Sequence, residues 1–208
     1  MNVLRTLAVA CAATALLLTP AAAQQLDGYG LQVGVNRATM SGGFLDLVND
    51  VGGSVNARWG FTLGGFASMG IATNTVFRPE LAYTQRGVRI PAENGVRQRD
   101  LDLGYIDLAA LVRRSFPMES VSPWAGAGVV LSLNTSSSAQ VDDTEVDVSD
   151  EIKGTDFGLA LEAGAGNGTW DVGLRYLLGL SNVSESSDSD EEAKNRGLSL
   201  TVSYNLKR

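Results

Sequence analysis

The segment from Asp156 to Val183 constrains the fold of this chain more than any other. Apolar side chains occupy every second position on both sides of a central Asn167-Gly168-Thr169. A period of two marks strands with one apolar face, and Asn-Gly between two such runs predicts a tight hairpin. The opposite face carries glycines together with Glu162 and Arg175. Such a face suits the crowded lumen of a small membrane barrel whose apolar face meets lipid.

The same period of two recurs along the chain and predicts eight strands. They lie near residues 29–36, 55–64, 77–86, 101–113, 121–133, 156–166, 170–181 and 197–206. The strands extend beyond these alternating cores, to breaks such as Ser41-Gly42-Gly43 and Ser68-Met69-Gly70, so the connections are about 14, 6, 13, 6, 19, 3 and 12 residues long. They alternate between long and short, as they do in outer-membrane barrels. We therefore expect an all-β fold. We expect this fold to be an eight-stranded antiparallel transmembrane β-barrel, arranged as an up-and-down meander. Its short turns should face the periplasm and its acidic loops the outside of the cell.

Two strands raise local questions. Pro79 cannot donate a hydrogen bond to a neighbouring strand, so we expect a β-bulge in the third strand. In the fourth strand, the apolar positions up to Tyr105 have odd numbers, whereas those from Ile106 onward have even numbers. Either a bulge changes the frame near Tyr105, or Tyr105 points into the lumen, and the pattern allows both.

Residues 1–23 predict a secretory signal peptide, which leaves residues 24–208 as the barrel domain. Arg5 supplies the basic start, residues 7–18 the apolar core, and residues 21–23 an A-x-A cleavage site before Gln24. The apolar core of this signal peptide is too short for a membrane-spanning helix, which needs about 20 apolar residues. Cys11 offers an alternative lipoprotein site, but the hydrophobic run continues past it.

Composition argues against several classes of function. The protein contains no His, and signal cleavage would remove its single Cys. The common Ser-His and Cys-His nucleophile pairs are then impossible. The formal charge of −7 becomes −8 when Arg5 is lost, which argues against nucleic acid as a partner. We expect no enzyme, no catalytic residue and no cofactor.

Six segments along the mature chain carry a resemblance to a known family. They are FRPELAYTQRG (77–87), YIDLAALV (105–112), PWAGAGVVLSL (123–133), DFGLALEAGAG (156–166), LRYLLGLSNV (174–183) and NRGLSLTVSYNL (195–206). In this order they resemble the PorT-like outer-membrane β-barrel family. The resemblance implies a small, eight-stranded, porin-like barrel of Gram-negative bacteria without general enzymatic residues. Asp107 and Ala109 stand where that family tends to have Glu and Pro.

The charged residues on the predicted inward faces form the candidate site. They are Arg58, Arg78, Glu80, Arg86, Asp107, Glu162 and Arg175. An eight-stranded interior holds side chains and little else, so we expect these groups to pair with one another in a filled lumen. The alternative is a charged pore constriction or ligand site. Arg175 is expected to pair with Glu162, either directly opposite or as its diagonal neighbour.

The remaining aromatic and acidic residues predict neither a ligand site nor a metal site. Several of the aromatic residues lie near predicted strand ends, where interfacial girdles form, and such girdles are favoured over carbohydrate stacking; the residues are Trp59, Trp124, Trp170, Tyr29, Tyr83, Tyr176 and Tyr204. Trp124 has the inward parity. We expect acidic loops at residues 134–153 and 185–192, and both lack the glycine-containing spacing of a calcium loop.

These observations predict a small outer-membrane β-barrel protein with a structural or porin-like role. Its lumen is filled by side chains, and its acidic extracellular loops are the interaction surface. The expected partners are outer-membrane lipid and, during insertion, the barrel-assembly machinery; we expect a monomer. The alternative is a soluble exported lipocalin-like barrel that binds a small apolar ligand. The faces discriminate, because glycines and charges cannot line an apolar cavity.

Overall fold

The computed structural model describes residues 26–41, 56–90, 99–141, 144–147, 154–181 and 194–207. Within these ranges, nine strands form one antiparallel sheet. They are β1 (Leu26–Ser41), β2 (Asn56–Ala72), β3 (Thr75–Ile90), β4 (Arg99–Ser115), β5 (Ser122–Val141), β6 (Thr144–Asp147), β7 (Thr155–Gly166), β8 (Trp170–Gly179) and β9 (Lys194–Lys207). The proposed signal peptide, residues 1–23, and most of the acidic loop residues lie outside the described part of the chain.

Eight of the described strands close into a ring. Strand β1 pairs with both β2 and β9, β4 pairs with β5, and β5 pairs with β7, so neighbours in sequence are neighbours in space. The predicted eight-stranded, antiparallel, up-and-down barrel is therefore confirmed. The turns at residues 73–74, 116–121 and 167–169 define its short-turn end, and the longer connections define its loop end.

Strand β5 is longer than the sequence predicts. It continues to Val141, and its last residues pair with both β4 and the short strand β6, which does not belong to the ring. Residues 134–141 were expected to lie in an acidic loop. They are mostly polar, so no alternation of apolar side chains marks them, although their backbone groups can still pair.

The expected bulge at Pro79 is wrong. The pairs Phe66–Glu80 and Met69–Phe77 lie on either side of Pro79 and belong to the same register. On the other side of the strand, Pro79 lies directly opposite Ala110 in an uninterrupted ladder with β4. The missing N–H donor therefore interrupts pairing with β2 without inserting an extra residue.

Tyr105 points into the lumen, which settles the frame of β4. Tyr105, Leu103 and Leu111 are fully buried, whereas Val112 is exposed. All the odd-numbered positions from Leu101 to Arg113 therefore share the lumen face. The irregularity lies in β5 instead, because Gly104 pairs with Ser136 while Tyr105 pairs with Asn134.

The two faces of the barrel differ sharply in polarity. Large apolar side chains are exposed around the outside, including Leu31, Leu63, Leu81, Leu161, Leu174 and Leu200. The rings of Trp170 and Tyr204 meet on this outer surface, with centroids 4.6 Å apart. Polar and charged groups instead dominate the buried residues. This arrangement is the reverse of a soluble protein and matches a barrel surrounded by lipid.

None of the described residues forms a helix that is long and apolar enough to cross a membrane.

Candidate functional site: the charged lumen

Five charged side chains meet near the short-turn half of the lumen. This glutamate layer consists of Glu80, Glu162, Arg78, Arg113 and Arg175. Strands β3, β4, β7 and β8 supply its members because alternate residues of each strand face inward. All but Arg175 are buried, and Arg175 is mostly covered.

Glu80 binds groups from several parts of the ring. Its Oε1 accepts a hydrogen bond from Arg78 Nε at 2.7 Å and lies 3.5 Å from Arg113 Nη2. Its Oε2 accepts from Gln32 Nε2 at 2.9 Å and from Arg175 Nη2 at 2.8 Å. Since Gln32 belongs to β1 and Arg175 to β8, one carboxylate joins strands that are not adjacent in the ring.

Glu162 accepts hydrogen bonds from two arginines at once. Arg113 donates through Nε to Oε1 and through Nη2 to Oε2, the latter at 3.1 Å. Arg175 donates through Nε at 3.1 Å and Nη2 at 2.8 Å, both to Oε2. Bidentate, charge-assisted contacts of this kind are strong and fix the orientation of both groups.

Aromatic rings support the guanidinium groups on the side of the short turns. The guanidinium carbon of Arg78 lies 3.2 Å from the ring centroid of Phe66, and that of Arg113 lies 4.0 Å from Trp124. Trp124 is buried against Gly164 and Gly173, where a Cβ atom would collide with its ring. Stacking on aromatic faces stabilises the arginines and fills the space beneath them.

A second, smaller polar group lies nearer the loop end. Arg86 Nη2 donates to Asp107 Oδ2 at 2.6 Å, and Arg86 Nη1 donates to Ser132 Oγ at 3.0 Å. Ser132 Oγ in turn donates to Asp107 Oδ1 at 2.6 Å. We call these three residues the aspartate layer. The guanidinium of Arg86 also lies over the ring of Tyr105, at 4.8 Å.

A third cluster of polar side chains lies close to the loops. Asp156 accepts hydrogen bonds from Asn195 Nδ2 at 2.7 Å and from Ser181 Oγ at 2.5 Å. Asn195 Nδ2 also lies 3.4 Å from the Tyr105 hydroxyl. This group connects β4, β7 and β9 across the barrel.

Arg58 lies apart from the other six predicted residues. Its Nη2 is 2.8 Å from Asp102, and its Nη1 is 3.2 Å from Asp100, both at the start of β4. The other predicted residues divide between the glutamate layer, with Arg78, Glu80, Glu162 and Arg175, and the aspartate layer, with Arg86 and Asp107.

Sequence reasoning missed Arg113, which is the third arginine of the glutamate layer. Its inward position follows from the odd-numbered frame of β4, and the pattern had left that frame undecided. The apolar residues at positions 106, 108, 110 and 112 share the outward parity. Continuing this alternation by one residue predicts that Arg113 points inward.

The charged side chains of the lumen neutralise one another. Three arginines share two glutamates in one layer, and one arginine meets one aspartate in the other. Buried charges persist when they are paired and hydrogen-bonded, as these are. Among the described residues, no group of three or more His, Cys, Asp or Glu side chains could hold a metal ion.

Comparison with solved structures finds the same architecture in outer-membrane proteins. The chain is similar to Neisserial surface protein A, with 18% identity, a TM-score of 0.51, and coverage of 85% of this chain and 96% of that one. It is also similar to OprG from Pseudomonas aeruginosa, with 13% identity, a TM-score of 0.51, and coverage of 88% and 98%. Identities this low show the fold alone.

Comparison with curated proteins finds no match. The model of the family described as "Outer membrane protein beta-barrel domain" matches residues 22–185. That range covers well over half of the 208 residues. Together with the lipid-compatible outer surface, the match establishes that this chain belongs to the outer-membrane β-barrel domain family and is a small eight-stranded barrel of the outer membrane.

Proposed function

We propose that this protein is a structural, non-enzymatic barrel whose lumen is closed to solutes and whose acidic loops meet other molecules. One observation carries the proposal: the glutamate layer spans the lumen. Arg175 of β8 binds Glu80 of β3, and Arg78 Nη2 lies 3.3 Å from Ser203 Oγ of β9. Side chains that bind across the ring occupy the path that a solute would take.

The aromatic side chains support the same conclusion. Phe66 and Trp124 are buried on the short-turn side of the glutamate layer and lie against its arginines. On the other side, Leu111, Val130, Ala160 and Leu177 form an apolar cluster inside the barrel. An eight-stranded barrel has an interior just wide enough for its side chains, so these groups obstruct it on both sides of the glutamate layer.

Single-channel recording in planar bilayers tests the proposal. The native protein should show no steady ion conductance. Replacing both inward aromatics, in Phe66→Ala with Trp124→Ala, should create conductance because it removes the packing beneath the arginines. The outward-facing Trp170→Ala is the matched control and should stay closed. Steady conductance by the native protein would replace this proposal with a pore.

The more specific PorT-like assignment belongs to this proposal and is supported by the six ordered segments from residue 77 to residue 206. A soluble lipocalin-like barrel does not fit. It would need an apolar lumen and a polar outside, whereas Glu80 and Glu162 are buried inside and large apolar residues are exposed outside. The family match to an outer-membrane domain agrees with this polarity.

The acidic loops are proposed as the interaction surface on the strength of their sequence. Residues 142–151 and 185–192 contain clustered Asp and Glu, which favour cationic partners over anionic ones. A Lys-rich peptide should bind proteoliposomes that display the native chain. Binding should weaken when Asp and Glu in residues 185–192 become Asn and Gln, and should weaken further with added salt. Equal binding by both chains would remove the loops from the proposal.

The remaining parts of the proposal concern maturation and assembly. Signal cleavage before Gln24, insertion by the barrel-assembly machinery and a monomeric state are expected of a small exported barrel. Intact mass of the membrane-extracted protein tests the cleavage site. Light scattering of the same sample in detergent tests the monomer.

A further inference from the structure

Two arginines lie on the outer surface of the barrel, toward its loop end. Arg37 belongs to β1 and Arg196 to β9, and both side chains are exposed. The residues beside them in the sequence point into the lumen, because Asn36, Ala38 and Asn195 are buried. Successive side chains of a strand point to opposite faces, so Arg37 and Arg196 both point outward. We call them the arginine pair.

The register of the strands brings the two arginines close together. In the β1–β9 ladder, Arg37 lies opposite Leu198, and Arg196 lies opposite Thr39. The arginines are therefore diagonal neighbours on one face of the sheet, about 7–8 Å apart. Lys194 occupies the next outward position of β9 and adds a third cation on the side of the loops. Two long side chains at this separation can converge on one anionic group.

The arginine pair has no carboxylate partner among the residues that the structure describes. The residues directly opposite the two arginines in the neighbouring strands are apolar or carry a hydroxyl group: Thr39, Trp59, Leu178 and Leu198. Neither arginine takes part in a salt bridge between described residues. Arg89, another exposed arginine near the loop end, instead donates to Asp100 through Nε and Nη2. The described strands therefore leave the positive charge of the pair unneutralised.

The arginine pair lies at the height of the lipid head groups. From Tyr29 to Arg37, β1 covers about 27 Å along the strand, or about 20 Å of height at the tilt usual for such barrels. The outward residues between them are apolar and exposed: Leu31, Val33 and Val35. Trp59 lies directly opposite Arg37 and is 68% exposed, as is typical of an interfacial girdle. Because the apolar band of such barrels is about 25 Å tall, the pair lies near its loop-side edge.

Charge and position together identify the ligand. In outer-membrane barrels the short turns face the periplasm, so lipid at the loop end belongs to the outer leaflet. A guanidinium group matches phosphate oxygens with two parallel N–H donors. Below the pair, Val35 and Leu200 lie opposite each other and are exposed, so they offer an apolar surface to acyl chains. A phosphorylated lipid fits both the cations and the apolar surface beneath them.

We propose that the arginine pair is a binding site for the phosphate group of an outer-leaflet lipid. The guanidinium groups of Arg37 and Arg196 donate hydrogen bonds to the phosphate oxygens, and the acyl chains lie against Val35 and Leu200. The site assigns a specific head group to one place on a wall that elsewhere meets lipid through apolar side chains. It belongs to the outer surface, so it depends neither on the closure of the lumen nor on what the acidic loops bind.

Native mass spectrometry of the full-length mature chain in detergent measures how tightly it binds single lipid molecules. The probes are bisphosphorylated lipid A and the same lipid after removal of its phosphates. The native chain should bind the phosphorylated form more tightly. Arg37→Gln and Arg196→Gln should each weaken that binding about fivefold and leave binding of the dephosphorylated lipid unchanged. Arg114→Gln is the matched control, since Arg114 is an exposed arginine at the short-turn end and should not alter the affinity of the tightest site.

A measurement on the native chain keeps the test independent of variant folding. In nitrogen-15 NMR spectra, titration with lipid A should shift the Nε–Hε resonances of Arg37 and Arg196 and leave that of Arg114 in place. Equal shifts with inorganic phosphate alone would overturn the proposal by making the ligand a free anion.

Two results of the mass spectrometry would also overturn the proposal. Equal affinity for lipid A with and without its phosphates would show that acyl chains alone drive binding. Equal affinity of the native chain and the Arg37→Gln, Arg196→Gln double variant would place the phosphate elsewhere. Steady conductance by the native protein would instead contradict the closed lumen and leave this site untouched, so the two proposals fail separately.

Discussion

Glu162 and Arg175 lie directly opposite each other across the β7–β8 hairpin, and Arg175 donates two hydrogen bonds to one oxygen of the carboxylate. The turn determines this register. Asn167 Oδ1 accepts from the backbone N–H groups of Thr169 and Trp170, and Gly168 has a φ of 86°. Asn167 and Trp170 then face each other, the backbone N–H of Asn167 donates to the Trp170 carbonyl, and Gly166 faces Asp171. A two-residue turn at Asn167-Gly168 would have left Arg175 diagonal to Glu162.

The first prediction follows from this pair. Glu162→Gln and Arg175→Met should each destabilise the barrel, by roughly 3–5 kcal/mol if the abandoned partner cannot find another contact. Glu162→Gln should be the more harmful, because it also removes the main partner of Arg113. Urea unfolding in detergent micelles measures both losses, and the double variant should lose less than the sum of the two. The coupling should be about 0.5–3 kcal/mol, and strictly additive losses would show that the pair is uncoupled.

The second prediction compares two adjacent arginines on opposite faces of β4. Arg113 is buried among Glu80, Glu162 and Trp124, whereas Arg114 is exposed on the outside. Arg113→Leu should cost about 3–5 kcal/mol, because it leaves Glu162 with one arginine in place of two. Arg114→Leu should change stability little. Comparable unfolding midpoints for the two variants would contradict the assigned frame of β4.

Alternation identified the faces of most strands because lipid outside and charge inside make them chemically different. Alternation did not identify strand positions where the two faces of a strand have similar polarity. The end of β5, from Ser136 to Gln140, is polar and above the apolar belt, so its pairing leaves no pattern in the sequence. Arg113 was missed because Tyr105 is an aromatic residue that points inward, which obscured the frame of β4.

The site also depends on geometry that no strand pattern contains. Which arginine reaches which glutamate is decided by the closure of the ring, since Arg175 and Glu80 come from β8 and β3. The register of Glu162 and Arg175 depended on hydrogen bonds inside a turn. The partners of these charges were therefore predictable as a group, whereas the individual contacts required the folded barrel.

The third prediction tests the outer face. Leu161 and Leu174 are 61% and 52% exposed in the middle of their strands. Leu161→Arg and Leu174→Arg should each reduce the free energy of folding into liposomes by about 2–4 kcal/mol, because each places a charge in the hydrocarbon region. Gly197→Ser is the lumen-facing control. It should be close to neutral, since the nearest atom to a new Cβ is 3.7 Å away. Losses of similar size for all three variants would mean that the faces are assigned wrongly.

The last prediction concerns Gly173, one of the two glycines against which the ring of Trp124 packs. Alternation alone treats Gly173 as a tolerant lumen position, but a Cβ there would lie 2.6 Å from Cη2 and 2.8 Å from Cζ2 of Trp124. Trp124 cannot move away freely, because it is buried and Arg113 lies over its ring at 4.0 Å. Gly173→Ser should therefore cost about 1–3 kcal/mol through overpacking.

Shortening the ring should relieve the collision. In a Trp124→Leu background, Gly173→Ser should cost clearly less than it does in the native chain, whereas Gly197→Ser should behave the same in both backgrounds because it does not approach Trp124. Urea unfolding in detergent of the native chain, the three single variants and the two double variants measures both couplings. An equal cost of Gly173→Ser with and without the indole would show that the loss comes from the strand backbone. Contact with Trp124 would then not be the reason that residue 173 is a glycine.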